Sequence, residues 1–457
     1  MAKKKQIELT IEEKLQNALV PKEEQPYKIP SNWCWSYWKY CGKFIAGNGF
    51  KNIYQGFTQY DIPYYKVGSL KFCDEGNYLI DETNTINEEI RTKLKAVKIP
   101  VNSIIFAKIG EAIKLNRRCL NKIECCIDNN LMAFISEKYF YKYVFYWTKS
   151  LNFYELTNAT TVPALRKTDL ENIPIPLPPL NEQQRIVNRI ESLFAKLDRA
   201  KELIENTLAQ FEQNKMAILH KAFTGELTAK WRKENNIDLS SWKEKTIDEL
   251  CTSLKYGTSK KSKPEGSVVV LRMGNLQNGE IDWSNLMYTD DKEDIEKYLL
   301  KKGDVLFNRT NGSADLIGKT SIYRGEYPAI YAGYLIKLDY GKDIIGEYLN
   351  YIMNSNKARA YCNKIKSSGA SQFNINAKKI GAFKIPVPTI EEQQEIVNIL
   401  DNLLAKYNKI KNLEQQLEKI ELLKKAILAK AFRGELGTNN PDEESAENLL
   451  KEILAEK

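Results

Sequence analysis

The sequence predicts an α/β (α+β) fold in which two pseudo-repeated globular domains are separated by two long antiparallel coiled-coil helices. Two observations carry this prediction. Residues 175–188 read IPLPPLNEQQRIVN and recur 210 positions later as IPVPTIEEQQEIVN, and residues 221–227, KAFTGEL, recur at 430–436 as KAFRGEL. Self-similarity at one long offset marks a construction used twice. Between the two landmarks of each copy runs a stretch with helical periodicity, and the blocks outside these stretches have the texture of strands and loops.

Each element follows from local chemistry. Residues 1–25 form an N-terminal helical segment, with helix expected over 7–20. Residues 26–178 make the first domain and 241–388 the second. Both are rich in β-branched and aromatic runs punctuated by glycine, asparagine and proline, which predicts strands and irregular loops with a few helices. The two domains also align in part. Residues 29–33 (IPSNW) correspond to 239–242 (LSSW), 65–70 to 271–276, and 102–108 (NSIIFAK) to 303–309 (GDVLFNR). The strand-like positions agree and the loops differ, as expected of one scaffold carrying two unlike recognition surfaces. Aromatic residues such as Trp33, Trp35, Trp38, Tyr64 and Tyr65 are expected in the core.

The long helices are expected at 179–225 and 389–434. Prolines end the extended approach to each, because proline donates no amide hydrogen and disfavours a helical residue before it, and a glycine closes each helix. Ile186, Ile190, Leu193, Leu197, Ile204, Leu208 and Phe211 form an apolar stripe on the first, and Ile396, Leu400, Leu403, Tyr407, Ile410, Leu417 and Ile420 on the second. Lys215 and Lys424 interrupt the two stripes at matched places. At about 1.5 Å per residue each helix would reach roughly 60 Å. Equal length and matched landmarks predict that the stripes pair with each other; the plainer alternative is that each helix packs on its own domain. Residues 226–240 are expected to be a linker, and 435–457 an acidic helical tail. The N-terminal segment and the tail are expected to dock partner subunits.

Composition narrows the function. The chain of 457 residues carries a net charge of +9, and the segment 441–457 holds six acidic against two basic residues, so the rest carries +13. Such a surplus suits a polyanionic partner. No apolar run is long enough to span a membrane and no signal sequence opens the chain, so a soluble, cytoplasmic protein is expected. The eight cysteines include no Cys-x-x-Cys pair, which predicts reduced core thiols and no metal site. His220 is the single histidine. No phosphate-cradling, dinucleotide-binding, zinc-protease or nucleophile-elbow motif is present, which favours a binding protein over an enzyme. A twofold-repeated protein with two unlike recognition domains suits double-stranded DNA, whose local dyads would present two unlike half-sites at a spacing set by helix length.

In this order, the paired Pro-rich-to-Glu-Gln-Gln helix openings, the paired Ala-Phe-x-Gly-Glu-Leu helix ends and the run Thr228-Ala229-Lys230-Trp231-Arg232 resemble the specificity (S) subunit of type I restriction-modification systems. The lead-in EQPYKIPSNW at 24–33 resembles that family too. The resemblance implies a non-catalytic subunit whose two target recognition domains each read half of a bipartite DNA target. The helices would act as spacer and dock two methyltransferase (M) subunits, with restriction (R) subunits joining in the full complex. S-adenosylmethionine, ATP and Mg would be cofactors of those partners and none of this chain. One departure is that Gly303-Asp304 stands as Asn102-Ser103 in the first domain, so this turn does not carry over residue by residue. The competing readings are a stand-alone bipartite DNA-binding regulator, which would need no methyltransferase, and a nuclease acting alone, which would cleave DNA with metal.

Base reading needs bidentate donors: arginine or lysine for guanine, asparagine or glutamine for adenine. In the second domain the candidates are Asn308 and Arg309, which follow an apolar run, and Lys255, Lys260, Lys261 and Lys263, which crowd a glycine-containing loop. Gln372 and Asn374 precede the Pro-rich turn. In the first domain Lys108, Lys114, Arg117 and Arg118 hold equivalent or neighbouring ground, and Arg166 precedes the Pro-rich turn. A solvated surface charge is the plain alternative for any one of them.

Overall fold

The computed structural model describes residues 9–136, 141–157, 162–313, 316–368, 372–408 and 411–456; the side chains of 404, 406–408 and 411–412 also lie outside the description. The chain forms two compact units, Met1–Glu202 with Gln416–Lys457, and Leu203–Gln415. Each therefore takes the first part of one long helix and the last part of the other.

The same sheets recur in both units. In the first, a four-stranded antiparallel sheet has the order Gly42–Ala46, Leu131–Ser136, Ile104–Ala107, Arg118–Leu120; in the second the order is Cys251–Tyr256, Leu335–Tyr340, Val305–Asn308, Thr320–Ile322. A three-stranded sheet follows in each, with one parallel pairing: Tyr64↔Cys126 in the first and Val270↔Ile330 in the second. A two-stranded ladder closes each domain, Cys34–Tyr37 on Pro174–Leu177 and Lys243–Thr246 on Lys384–Val387. Proline cannot donate to a ladder and is confined to edges, so the alternating Pro174 and Pro176 suit a strand paired on one side only.

The turn that differs in sequence is one turn in structure. Asn102 and Gly303 both have left-handed φ, +63° and +97°, and their N–H groups donate to the carbonyls of Asn121 (2.9 Å) and Tyr323 (2.8 Å). Asparagine tolerates this conformation better than most side chains do, so the expected loss of correspondence is corrected here. The aromatic core is as the sequence predicts, with Trp33, Trp35, Trp38, Tyr64 and Tyr65 all buried.

The first long helix runs without a break from Leu180 to Thr224; the second is described as Ile390–Asn408 and Lys411–Phe432. Gly225 (φ +82°) and Gly434 (φ +74°) end them in the left-handed conformation that satisfies terminal carbonyls. In the first unit Lys424 bonds Asp198 and Lys201 lies 3.6 Å from Glu421. As one number rises the other falls, so these segments run antiparallel. Lys424, which interrupts the apolar stripe, also lies over the Phe194 ring at 5.3 Å.

Burial along the stripes is uneven. Ile186, Ile190, Ile396, Leu400 and Ile420 are buried, whereas Leu193, Leu197, Ile204, Leu208, Phe211, Leu403 and Leu417 are half-buried. Ile186 and Ile190 share a core with strand residues such as Phe106 and Phe134, so the helix opening packs on its own domain as well as offering a seam. Tyr407 and Ile410 lie outside the described side chains.

One expectation is corrected. Residues 226–240 are no free linker: they carry the helix Ala229–Glu234 and bury Thr228 and Arg232. The N-terminal helix spans Ile11–Ala18 and the tail helix Ala446–Ala455, and they pack together. Their apolar faces, Leu15 and Ala18 with Leu450, Ile453 and Leu454, are used inside the first unit's core.

Candidate nucleic-acid interface

In both units one cation stands where the second central strand of the four-stranded sheet leaves the core. Lys108 follows Ile104–Ala107, and its N–H donates to the Asn130 carbonyl (2.9 Å) while its carbonyl accepts from Leu165 N–H (2.8 Å). Arg309 follows Val305–Asn308 directly; its N–H donates to Tyr334 (3.0 Å) and its carbonyl accepts from Ile375 N–H (2.8 Å). The two are equivalent positions. Each is clamped between a strand-connecting turn and a segment more than 50 residues further on that leads to the Pro-rich strand. The next residues continue the pairing, Ile109↔Ala164 in the first unit and Thr310↔Asn374 in the second. Lys108 with 162–165, and Arg309 with 372–375, thus form one platform per unit, and Arg166 extends the first.

Around these cations the platforms differ. Arg309 lies over the Tyr256 ring at 4.9 Å, and Tyr256 and Tyr334 are 41% and 46% exposed. Gln372 is exposed and Asn374 is half-buried, its Oδ1 accepting from the Thr310 hydroxyl at 2.7 Å. In the first unit the places of Tyr256, Tyr334 and Asn374 are taken by Ala46, Asn130 and Ala164. The second platform is aromatic and amide-rich, and the first is small and bears a flexible lysine. Tyr256 and Tyr334 are absent from the sequence-based candidates because aromatic residues are expected in the core; the one signal in the sequence is that Tyr256 adjoins the candidate Lys255.

The remaining candidates sort by environment. Asn308 is fully buried, its Nδ2 donating to Leu316 O (3.2 Å) and its Oδ1 accepting from Thr310 N–H. Arg118 is 2% exposed, donates to the carbonyls of Asn116 (2.5 Å) and Leu151 (2.8 Å), and stacks on Phe153 at 3.8 Å. Burial pulls its pKa down to about 9. Both are corrected to interior positions that hold loops in shape. Three lysines are already paired. Lys114 meets Glu111 at 2.8 Å, Lys255 meets Asp339 at 3.0 Å, and Lys260 meets Asp291 at 2.8 Å. Hydrogen bonding to those carboxylates raises the pKa of Lys114 and Lys260. Arg117, Arg166, Lys261 and Lys263 are exposed and form no salt bridge among the described residues, although the charge of Lys263 reaches Asp290.

The repeated Glu-Gln-Gln string has a different task. Glu182 accepts from the Trp33 indole (3.0 Å) and the Thr438 hydroxyl (3.3 Å); Glu392 accepts from the Trp242 indole (2.9 Å) and the Thr228 hydroxyl (2.6 Å). Gln183 and Gln393 each donate at 3.0 Å to the proline carbonyl five residues earlier. Each clamp thus ties the start of one long helix to the entry of its domain and to the end of the other helix. They differ in one respect: Glu392 also meets the buried Arg232 at 2.5 Å. In the first unit the arginine near Glu182 is Arg185, three residues on in the same helix, and it pairs with Glu443 at 2.8 Å. Burial raises the pKa of Glu182, which has no such buried arginine.

Two matched platforms stand on one repeated scaffold, each presenting a different set of donors. Among known proteins, the family model "Type I restriction modification DNA specificity domain" matches residues 52–210 and 240–422. The specificity subunit of the type I restriction enzyme EcoKI from Escherichia coli K12 is 31% identical over 318 residues, 66% of this chain and 68% of that one. That of StySPI from Salmonella potsdam is 31% identical over 335 residues, 69% and 71%. Two solved structures share the fold at 19% identity, each covering 90% of this chain. One is from a type I restriction-modification system (TM-score 0.67, all of that chain covered), and the other is the HsdS subunit of Thermoanaerobacter tengcongensis (TM-score 0.52, 99% covered). The chain belongs to the family of type I restriction-modification specificity subunits. Specificity subunits of these systems recognise DNA, and the catalytic activities lie in partner subunits. No described helix is long and apolar enough to cross a membrane.

Proposed function

We propose that each unit reads one half of a bipartite double-stranded DNA target, that the two long helices set the gap, and that they offer docking surface to two methyltransferase subunits, with restriction subunits joining the full complex. The observation that carries this reading is the matched placement of Lys108 and Arg309 on identical backbone clamps with unlike surroundings. A repeated frame holds a cation at one place, and its neighbours decide whether it grips a base edge or a phosphate. Phosphate contacts by exposed cations such as Lys261, Lys263, Arg117 and Arg166 would add affinity without sequence information. Catalysis, and with it S-adenosylmethionine, ATP and Mg, falls to the partners.

The test is to co-express the chain with the methyltransferase subunits and sequence the methylated DNA. A two-part adenine-methylation motif that depends on this chain is the expected result. Failure to co-purify, with no such motif, would leave a stand-alone DNA-binding regulator. Inserting four residues after Leu197 adds about 6 Å of helix, roughly two base-pair rises, and should lengthen the gap with both half-sites intact. An unchanged gap would remove the helices as the ruler.

A further inference from the structure

Arginine carries five N–H donors in a rigid fork. Arg309 uses Nε on the Ile375 carbonyl at 3.3 Å and Nη1 on the Gly333 carbonyl at 3.4 Å, both long bonds, while Nη2 has no acceptor among the described residues. Both Nη2 hydrogens and one on Nη1 are left without a protein acceptor among the described residues, and donors of this planar group are what a bidentate grip on a guanine edge draws on. Two long bonds alone would hold such a fork weakly. The Tyr256 ring supplies the missing support, 4.9 Å from the guanidinium carbon. That ring is itself tied down: Tyr256 pairs with Ile336 at the end of its strand, and its hydroxyl accepts the Ala377 N–H at 2.8 Å.

The first unit lacks this shelf. Gly47 and Gly257 are equivalent, since a Cβ on either would strike a carbonyl of the adjoining segment, Asp128 O or Tyr331 O, and the following residues bridge Asn48↔Asp128 and Thr258↔Ala332. The residue before each is Ala46 or Tyr256. Lys108, a point charge on a flexible stem, has no ring beneath it among the described residues.

We infer that Tyr256 is a specificity-determining positioning residue, holding the Arg309 guanidinium as a pre-set planar fork for one guanine in the half-site read by the second unit. The inference rests on the DNA-reading function proposed above. Order imposed before binding lowers the entropy lost on binding, and a fixed plane discriminates between base edges where a mobile cation does not.

The test uses the full chain co-expressed with methyltransferase subunits, and the probe is a library of duplexes with both half-sites randomised, selected by binding and sequenced. Wild-type chain should return a two-part motif with a guanine in the second half. Tyr256→Ala should reduce preference for that guanine by about tenfold, leaving the first half-site, an internal control for folding, as it was. Tyr256→Phe keeps the ring and should keep the preference. An unchanged motif with Tyr256→Ala, or equal loss with Tyr256→Phe, would overturn the shelf, the second by assigning the effect to the Ala377 hydrogen bond. If the wild-type chain returns no two-part motif, the DNA-reading proposal itself fails, whatever the variants do.

Discussion

The two units share a frame down to individual hydrogen bonds and part company at the surface. Tyr143 and Tyr348 both donate to a proline carbonyl of the Pro-rich strand, Pro176 at 2.7 Å and Pro386 at 2.8 Å. Tyr146 and Tyr351 both reach an acid on the following long helix, Glu191 and Asp401. Around the matched cations the backbone clamps persist but the side chains do not: Lys108 stands among Ala46, Asn130 and Ala164, and Arg309 among Tyr256, Tyr334 and Asn374. Buried groups whose loss leaves a partner unsatisfied hold the frame constant, because each error costs on the order of 1–3 kcal/mol. Exposed neighbours are free to differ, and that freedom is what lets one scaffold serve two targets.

The largest expected effect separates the two clamps. Glu392→Ala strands the buried Arg232 and should destabilise the protein by about 3–5 kcal/mol. Glu182→Ala leaves no buried arginine unpaired and should cost about 1–3 kcal/mol. Chemical denaturation reads both, and equal losses would break the contrast. Next, Asn308→Ala should lower stability by about 1–3 kcal/mol, since it frees the Leu316 carbonyl and the Thr310 N–H inside the domain; its binding motif should be that of the wild type. A changed base preference would return Asn308 to the reading surface.

The recognition contrast predicts smaller and more local changes. Arg309→Ala should weaken binding by about 1–3 kcal/mol on targets with the cognate second half-site and leave the first half-site preference intact. Lys108→Ala should weaken all sequences alike by about 1 kcal/mol or less, with the salt dependence of binding reduced by about one ion. Sequence-selective loss on Lys108→Ala would show that the first platform reads a base as sharply as the second. The smallest effect is a gain: Ala46→Tyr combined with Lys108→Arg should transplant the shelf and create an about fivefold preference for guanine in the first half-site. No new preference would mean that more than these two positions makes the second platform.

Much of this was legible in the sequence, and the reason is physical. The Glu-Gln-Gln openings recur because Glu182 and Glu392 are buried acceptors with several donors to satisfy, so the residues around them repeat. The strands aligned because their faces fill the same core. Less could be read where orientation decides. Asn308 and Arg309 are adjacent and both polar, yet one side chain turns into the domain and the other out, and no composition rule separates them. Arg118 looked like its exposed neighbour Arg117 until Phe153 and the Leu151 carbonyl closed over it. The clamp partners Thr438 and Glu182 lie 256 residues apart, beyond the reach of any local pattern. Tyr256 and Tyr334 were hidden by a rule that holds for most of the other aromatic residues here, that such rings fill the core.

The central claim is that one frame, used twice, reads two unlike half-sites at a fixed separation. Sequencing modified DNA from cells with and without the gene tests it most directly. The account predicts a methylated motif of two unlike halves with a constant gap, present only with the gene. A contiguous motif, or two identical halves, would contradict it.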